Sequence, residues 1–131
     1  LLFFGEEYIY NNYTSKGKTA LGQEDALKVV ASYSAAPGTS EHQWGLAADI
    51  IDNSSTTLVA EDVEEMPLLV WMAEHCHEYG FILRYPKDKE EITGWYEPWH
   101  FRYVGRYHAT RMHELDMCLE EYVEYLRGQG R

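Results

Sequence analysis

Two short runs of the sequence carry groups that could do chemistry together: Ser40-Glu41-His42-Gln43-Trp44-Gly45-Leu46-Ala47-Ala48-Asp49 and, about fifty residues on, Glu97-Pro98-Trp99-His100. Between them they supply imidazoles and carboxylates in the numbers that a hydrolytic metal centre needs. Catalytic zinc takes three protein ligands of these types and keeps a fourth position for water, whose pKa falls to roughly 7. His42, Asp49 and His100 fit the ligand roles. Glu97 fits a general base, which takes a proton during attack and returns it to the leaving amine, work worth roughly 100- to 10,000-fold. Mixed imidazole and carboxylate donors suit one Zn2+ ion without excluding iron, cobalt or nickel.

The elements that must position these groups follow from spacing. His42 and Asp49 lie seven residues apart and so differ in parity, which forbids both from facing inward on one regular strand. A turn or bulge must separate them, and Gly45 can supply it. Leu46 to Ile51 then read as a short buried strand carrying Asp49, with His42 on the loop leading in. In the second run Pro98 removes a backbone donor and biases Glu97 toward an extended conformation. A turn entering a strand is therefore expected, continuing through Phe101-Arg102-Tyr103-Val104, and not a helical Glu-x-x-His pair.

These residues resemble the zinc metallopeptidases grouped with lysostaphin, the D-Ala-D-Ala metallopeptidases and the hedgehog signalling domain. Ser40-x-His42-x-x-Gly45-x-Ala47-x-Asp49 matches the first motif of that group and Glu97-x-x-His100 the second. The wording Pro37-Gly38-Thr39-Ser40-Glu41-His42-Gln43, Tyr79-Gly80-Phe81-Ile82, Arg84-Tyr85-Pro86, Thr93-Gly94 and Glu97 to Gly105 is most similar to bacterial D-alanyl-D-alanine carboxypeptidases of the vancomycin-resistance type. The resemblance spans about residues 20 to 126. It implies a peptidase that trims terminal D-alanine from peptidoglycan stem peptides, with His42, Asp49 and His100 as zinc ligands and Glu97 as base. Ser40, Gln43, Arg84, Tyr96 and Trp99, in or beside the matching motifs, are candidates for shaping the substrate pocket.

Relatives carry an upstream strand whose arginine is expected to hold the substrate or its developing oxyanion, and no residue before His42 is an arginine. The expectation is therefore a single catalytic domain over residues 1–131 that lacks an N-terminal segment of the full domain. Loss of one oxyanion donor costs on the order of 100- to 1,000-fold in turnover. Three readings stay open. The first is the D,D-carboxypeptidase. The second keeps the chemistry and changes the bond, as an L,D-carboxypeptidase, D,D-dipeptidase or wall endopeptidase. The third is a catalytically silent zinc-containing binding module, disfavoured by the retained Glu97 and favoured by the absent arginine.

Composition agrees with a small enzyme domain. At 131 residues and 45% hydrophobic content the chain can bury one core without disulfides. A net charge of −11 argues against nucleic-acid partners and against attraction to anionic membranes. No apolar run approaches the roughly 20 residues that span a bilayer, and no signal peptide is visible. A placement at the outer or cell-envelope face of a bacterium follows from the implied substrate, which demands export. Nothing in the sequence fixes the oligomeric state.

The rest reads as scaffold for an α+β fold in which helices pack on an antiparallel sheet. Helices are predicted over Gln23–Tyr33, with Pro37-Gly38 as breaker, over residues 67 to 79 with Pro67 in the first turn and Gly80 as cap, and around the stripe Leu119, Tyr122, Val123, Leu126, fraying from Gly128. Phe81-Ile82-Leu83 is a predicted strand, and Arg84 to Tyr96 a polar loop that runs into Glu97 and suits either a substrate rim or a plain connector. Cys76 and Cys118 read as buried free thiols, with a disulfide as the alternative. His75, His77, His108 and His113 are expected to face solvent.

Overall fold

The structure, a computed structural model, describes residues 35, 38–55 and 58–130. The expected helix over Gln23–Tyr33, the apolar start Leu1 to Phe4 and Pro37 lie outside the described residues. The chain divides into two compact units, Leu1–Gln43 and Trp44–Arg131. In the first, the described part is the approach to the first motif, entering a 3-10 turn over Glu41–Trp44. The Oγ of Ser40 accepts the backbone N–H of His42 at 3.3 Å. The Ser40 carbonyl accepts that of Gln43, also at 3.3 Å, so Ser40 caps this turn.

The second unit is built on a three-stranded antiparallel sheet of order β1-β3-β2, where β1 is Ala47–Asp49, β2 Phe81–Tyr85 and β3 Glu97–Tyr103. Its described helices are α1 (Ala60–Val63), α2 (Pro67–His75), α3 (Glu90–Thr93), α4 (Arg106–Leu115) and α5 (Leu119–Gln129). The α+β expectation holds. Alternation on the strands divides the apolar side chains between two clusters. Trp99 and Phe101 of β3 pack with Val63, Met66, Leu69 and Cys76 beneath α2. Ile82 of β2 points the other way, into a cluster with Ala109, Met112 and Tyr122 of α4 and α5. His100, one residue from Phe101, shares the Ile82 side.

The register of β3 is regular against β1, pairing Ala47 with Arg102, Ala48 with Phe101 and Asp49 with His100. Against β2 it is not. Leu83 pairs with Phe101 and Tyr85 with Glu97, so β2 advances two residues while β3 advances four. Pro98, buried inside that stretch, has no N–H to give the ladder, which is the physical reason the pairing slips there.

Several expectations need correction. The strand predicted over Leu46 to Ile51 is cut to Ala47–Asp49, and Ala48 and Asp49 are exposed. Among the described residues β1 has one partner, β3, and its small side chains offer no continuous apolar face. Ile50 and Ile51 leave it to pack on the α2 cluster, although the Ile50 N–H still bonds the Trp99 carbonyl at 2.9 Å. Helix α2 gives way at Cys76–Tyr79 to a 3-10 turn. Three residues per turn rotate His77 off the solvent side. Its ring stacks on His113 at 3.8 Å, with the planes 5° apart. His75 stays partly exposed and bonds Glu78 at 2.9 Å, while His108 and His113 are exposed as expected, His108 also bonding the Tyr122 hydroxyl at 3.0 Å. The polar connector is not bare loop, since it contains α3. Arg84 belongs to β2, and α5 runs on to Gln129. Helix α4 was not anticipated. Cys76 and Cys118 are free and buried, as expected.

Candidate metal centre

His100 is the most buried polar side chain among the described residues, at 4% exposure. Antiparallel register places Asp49 directly across from it, where paired side chains share a face about 5 Å apart. The Asp49 Oδ1 is 3.2 Å from His100 Nδ1, and Glu97 Oε2 approaches the same nitrogen at 3.4 Å. Glu97 and His100 are three residues apart and would face opposite sides of an unbroken strand. The slip at Pro98 re-aims Glu97 to the His100 side. The Tyr85 ring, 5.0 Å from the imidazole, walls the group from β2. One ring nitrogen has at most one N–H to share between two carboxylates. A cation meets both demands at once.

The other candidates are placed differently. His42 and Gln43 lie on the 3-10 turn that Ser40 caps, three and two residues ahead of Gly45, whose φ of 67° supplies the expected change of direction. Arg84 makes a bidentate pair with Glu120 at 3.0 and 2.6 Å, tying β2 to the first turn of α5. Burial pushes the Glu120 carboxyl up, but the Arg84 hydrogen bonds outweigh it and hold the group below its ordinary value. Tyr96 donates its hydroxyl to Glu64 at 2.8 Å. Burial first, then that bond, push its phenol above the ordinary range. Trp99 is part of the core beneath α2. Sequence reasoning did not single out Tyr85, Glu64 or Glu120. Tyr85 stands within a quoted motif, whereas Glu64 and Glu120 meet partners 32 and 36 residues away and leave no local signal.

A small antiparallel sheet packed with helices, its central strand carrying imidazole and carboxylate to one place, is the architecture of hedgehog-like peptidases. The chain belongs to the VanY family: the model for VanY, D-alanyl-D-alanine carboxypeptidase, matches residues 5–106. A D-alanyl-D-alanine carboxypeptidase of Enterococcus faecium is 48% identical over 100 residues, covering 76% of this chain and 31% of the relative. The bifunctional D-Ala-D-Ala dipeptidase and carboxypeptidase VanXYC of Enterococcus gallinarum is 42% identical over 107 residues, covering 79% and 56%. Among solved structures, a vancomycin-resistance D,D-pentapeptidase VanY variant in complex with Zn(II) superposes with a TM-score of 0.65 at 39% identity, covering 90% of this chain and 62% of that one. The LD-carboxypeptidase LdcB gives 0.66 at 39% identity, covering 91% and 52%. The chain thus spans about a third to somewhat over half of the curated relatives, and 62% or less of these two solved chains.

Proposed function

We propose that this chain carries the centre of a zinc-dependent D-alanyl-D-alanine carboxypeptidase that removes terminal D-alanine from peptidoglycan stem peptides. The observation that carries the reading is the convergence of the Asp49 and Glu97 carboxylates on one nitrogen of buried His100. The donor chemistry fits the metal: Asp49 and His100 meet within the second unit, and with the imidazole of His42 they are of the types that catalytic zinc takes. Bound there, zinc supplies Lewis-acid polarisation of the scissile carbonyl and of the attacking water. Asp49 and His100 act as ligands from β1 and β3, and His42 completes the set from the turn before Gly45. Glu97 takes the proton from the water as it attacks and passes it to the amine of the departing D-alanine. Ser40 and Gln43, on the turn with His42, are the side chains we assign to the substrate side. Arg84, Tyr96 and Trp99 shape the pocket from behind through Glu120, Glu64 and the core.

A cell-wall substrate places the protein at the outer face of a bacterial envelope, and no helix of the described residues is long and apolar enough to cross a membrane. Likeness to both VanY and LdcB supports the peptidase chemistry equally for D,D and L,D bonds. Mass spectrometry of pentapeptide and tetrapeptide stems incubated with zinc-loaded protein, with and without chelator, separates these. Chelator-sensitive loss of one alanine from pentapeptide alone is the expected result. Loss from tetrapeptide supports the L,D bond instead, and no cleavage of either with zinc bound overturns the peptidase reading.

A further inference from the structure

The segment that delivers Glu97 to the centre has little ladder support of its own. It leaves α3 at Gly94, whose φ is 81°, and joins β3 only at the pair Tyr85 with Glu97, beyond the register slip. Two side-chain devices hold it. At its start the Thr93 Oγ1 donates to the Trp95 carbonyl at 2.9 Å and accepts the Trp95 N–H at 3.4 Å. At its end the Tyr96 hydroxyl bonds Oε2 of Glu64 at 2.8 Å, and the same oxygen accepts Lys87 Nζ at 2.8 Å. Lys87 Nζ also lies 5.4 Å from the Tyr96 ring centroid, so the three side chains close a triangle. Glu64 is fixed in turn. It follows Val63, which is fully buried in the core, and its N–H bonds the Ala60 carbonyl at 2.9 Å.

We propose that Glu64 is a positioning residue for Glu97, acting through the Tyr96 hydroxyl, with Lys87 holding the Glu64 carboxylate in place. The inference rests on the reaction proposed above. A general base must be held within about 0.5 Å of its productive place, and a misplacement of about 1 Å costs on the order of 100-fold. Tyr96 is bonded directly to Glu97, so a shift of its ring is passed to the base through one peptide unit. The hydroxyl serves this tether and not the substrate, and its loss is read in kcat.

The test compares Tyr96→Phe, Glu64→Ala, the double variant and Glu64→Gln with the unaltered protein, all zinc-loaded, on stem pentapeptide. Amide hydrogen exchange at residues 95 to 97 is followed in parallel. Tyr96→Phe and Glu64→Ala each lower kcat by about 10- to 100-fold, with KM within about twofold and zinc content unchanged. The double variant is no worse than the poorer single one, because both remove one interaction. Glu64→Gln keeps an acceptor for Tyr96 and recovers most of the rate. Exchange at residues 95 to 97 accelerates in the first three variants and not in Glu64→Gln. A rise in KM at constant kcat overturns the proposal by making Tyr96 a substrate contact, and additive losses overturn it by making the two residues independent. Unchanged exchange overturns it even where the unaltered protein cleaves nothing, the outcome that counts against the reaction itself.

Discussion

Among the described glycines, Gly80 is the one where a single methyl group should do most harm. It closes the 3-10 turn after α2 at a φ of 90°, where L residues are strained. Its carbonyl accepts the N–H groups of both Val104 and Gly105, at 2.9 and 3.1 Å, so it ties the end of β3 to the start of α4. A Cβ built there meets Tyr103 Cε2 at 2.8 Å, Arg106 N at 3.0 Å and the Gly105 carbonyl carbon at 3.2 Å. The ring of Tyr103 leans edge-on against Phe81 at 5.2 Å, and the other two contacts are backbone. Gly80→Ala therefore carries about 1 to 2 kcal/mol for the left-handed backbone and about 1 to 3 kcal/mol for overpacking. Gly94→Ala is the control, with a φ of 81° and nothing within 4 Å of its Cβ, so it bears the backbone cost alone. In urea, with a slope near 1.5 kcal/mol/M, about 3 kcal/mol moves the midpoint by about 2 M for Gly80→Ala, against about 1 M for Gly94→Ala. Equal shifts at unchanged slope would refute the steric part of this reasoning.

Glu97→Ala should keep zinc and lose roughly 100- to 10,000-fold in turnover; stoichiometric loss of metal, read by elemental analysis, would remove it from the role of base. His42→Ala and His100→Ala should each lose both metal and activity, and wild-type zinc affinity in either variant takes that residue out of the ligand set. Burial pushes the Cys76 thiol from 9.0 up to about 11. Because the folded protein holds that proton more tightly, the thiol's contribution to stability is intact below about pH 9 and is lost as pH rises through about 11. At pH 8 the native protein should therefore label at Cys76 far more slowly with a thiol reagent than the protein in urea, and equal rates would contradict the burial.

What was legible in the sequence was chemistry carried by neighbours along the chain. The motif spacing led to Asp49 on a strand, to a change of direction at Gly45 and to an extended Glu97-Pro98-Trp99-His100, because parity, glycine and proline act within a few residues. The extent of β1 was not legible. Its apolar run ends in isoleucines that serve the α2 cluster instead of the sheet, and only tertiary packing decides that. Long-range polar contacts left no trace either. Arg84, beside a motif, was a pocket candidate, yet its guanidinium pairs with Glu120 from α5. Lys89 meets Glu121 from the same helix turn at 3.2 Å. Two acidic residues in the first turn of a helix look like routine dipole compensation until the fold sets two cations against them. His77 failed for a related reason: helical spacing puts it in solvent, but the helix tightens to 3-10 at Cys76 and turns it onto His113.

The second motif holds more structural instruction than its two chemical residues suggest. Glutamate and histidine separated by two residues suit a helix, where such positions share a face, and are mismatched on a strand, where they do not. Proline between them removes the helical option and one ladder donor in the same step. The strand responds by spending four residues where its partner spends two, between the pairs Leu83 with Phe101 and Tyr85 with Glu97. Where the strand is irregular Glu97 comes within 3.4 Å of His100 Nδ1, while Trp99, between Pro98 and His100, remains in the core and holds the strand down. Filling the proline position with a residue that could donate to the ladder would favour the regular register, and with it a Glu97 that faces the α2 cluster. The defect in the sheet is thus what permits a base and a ligand to come from one short strand.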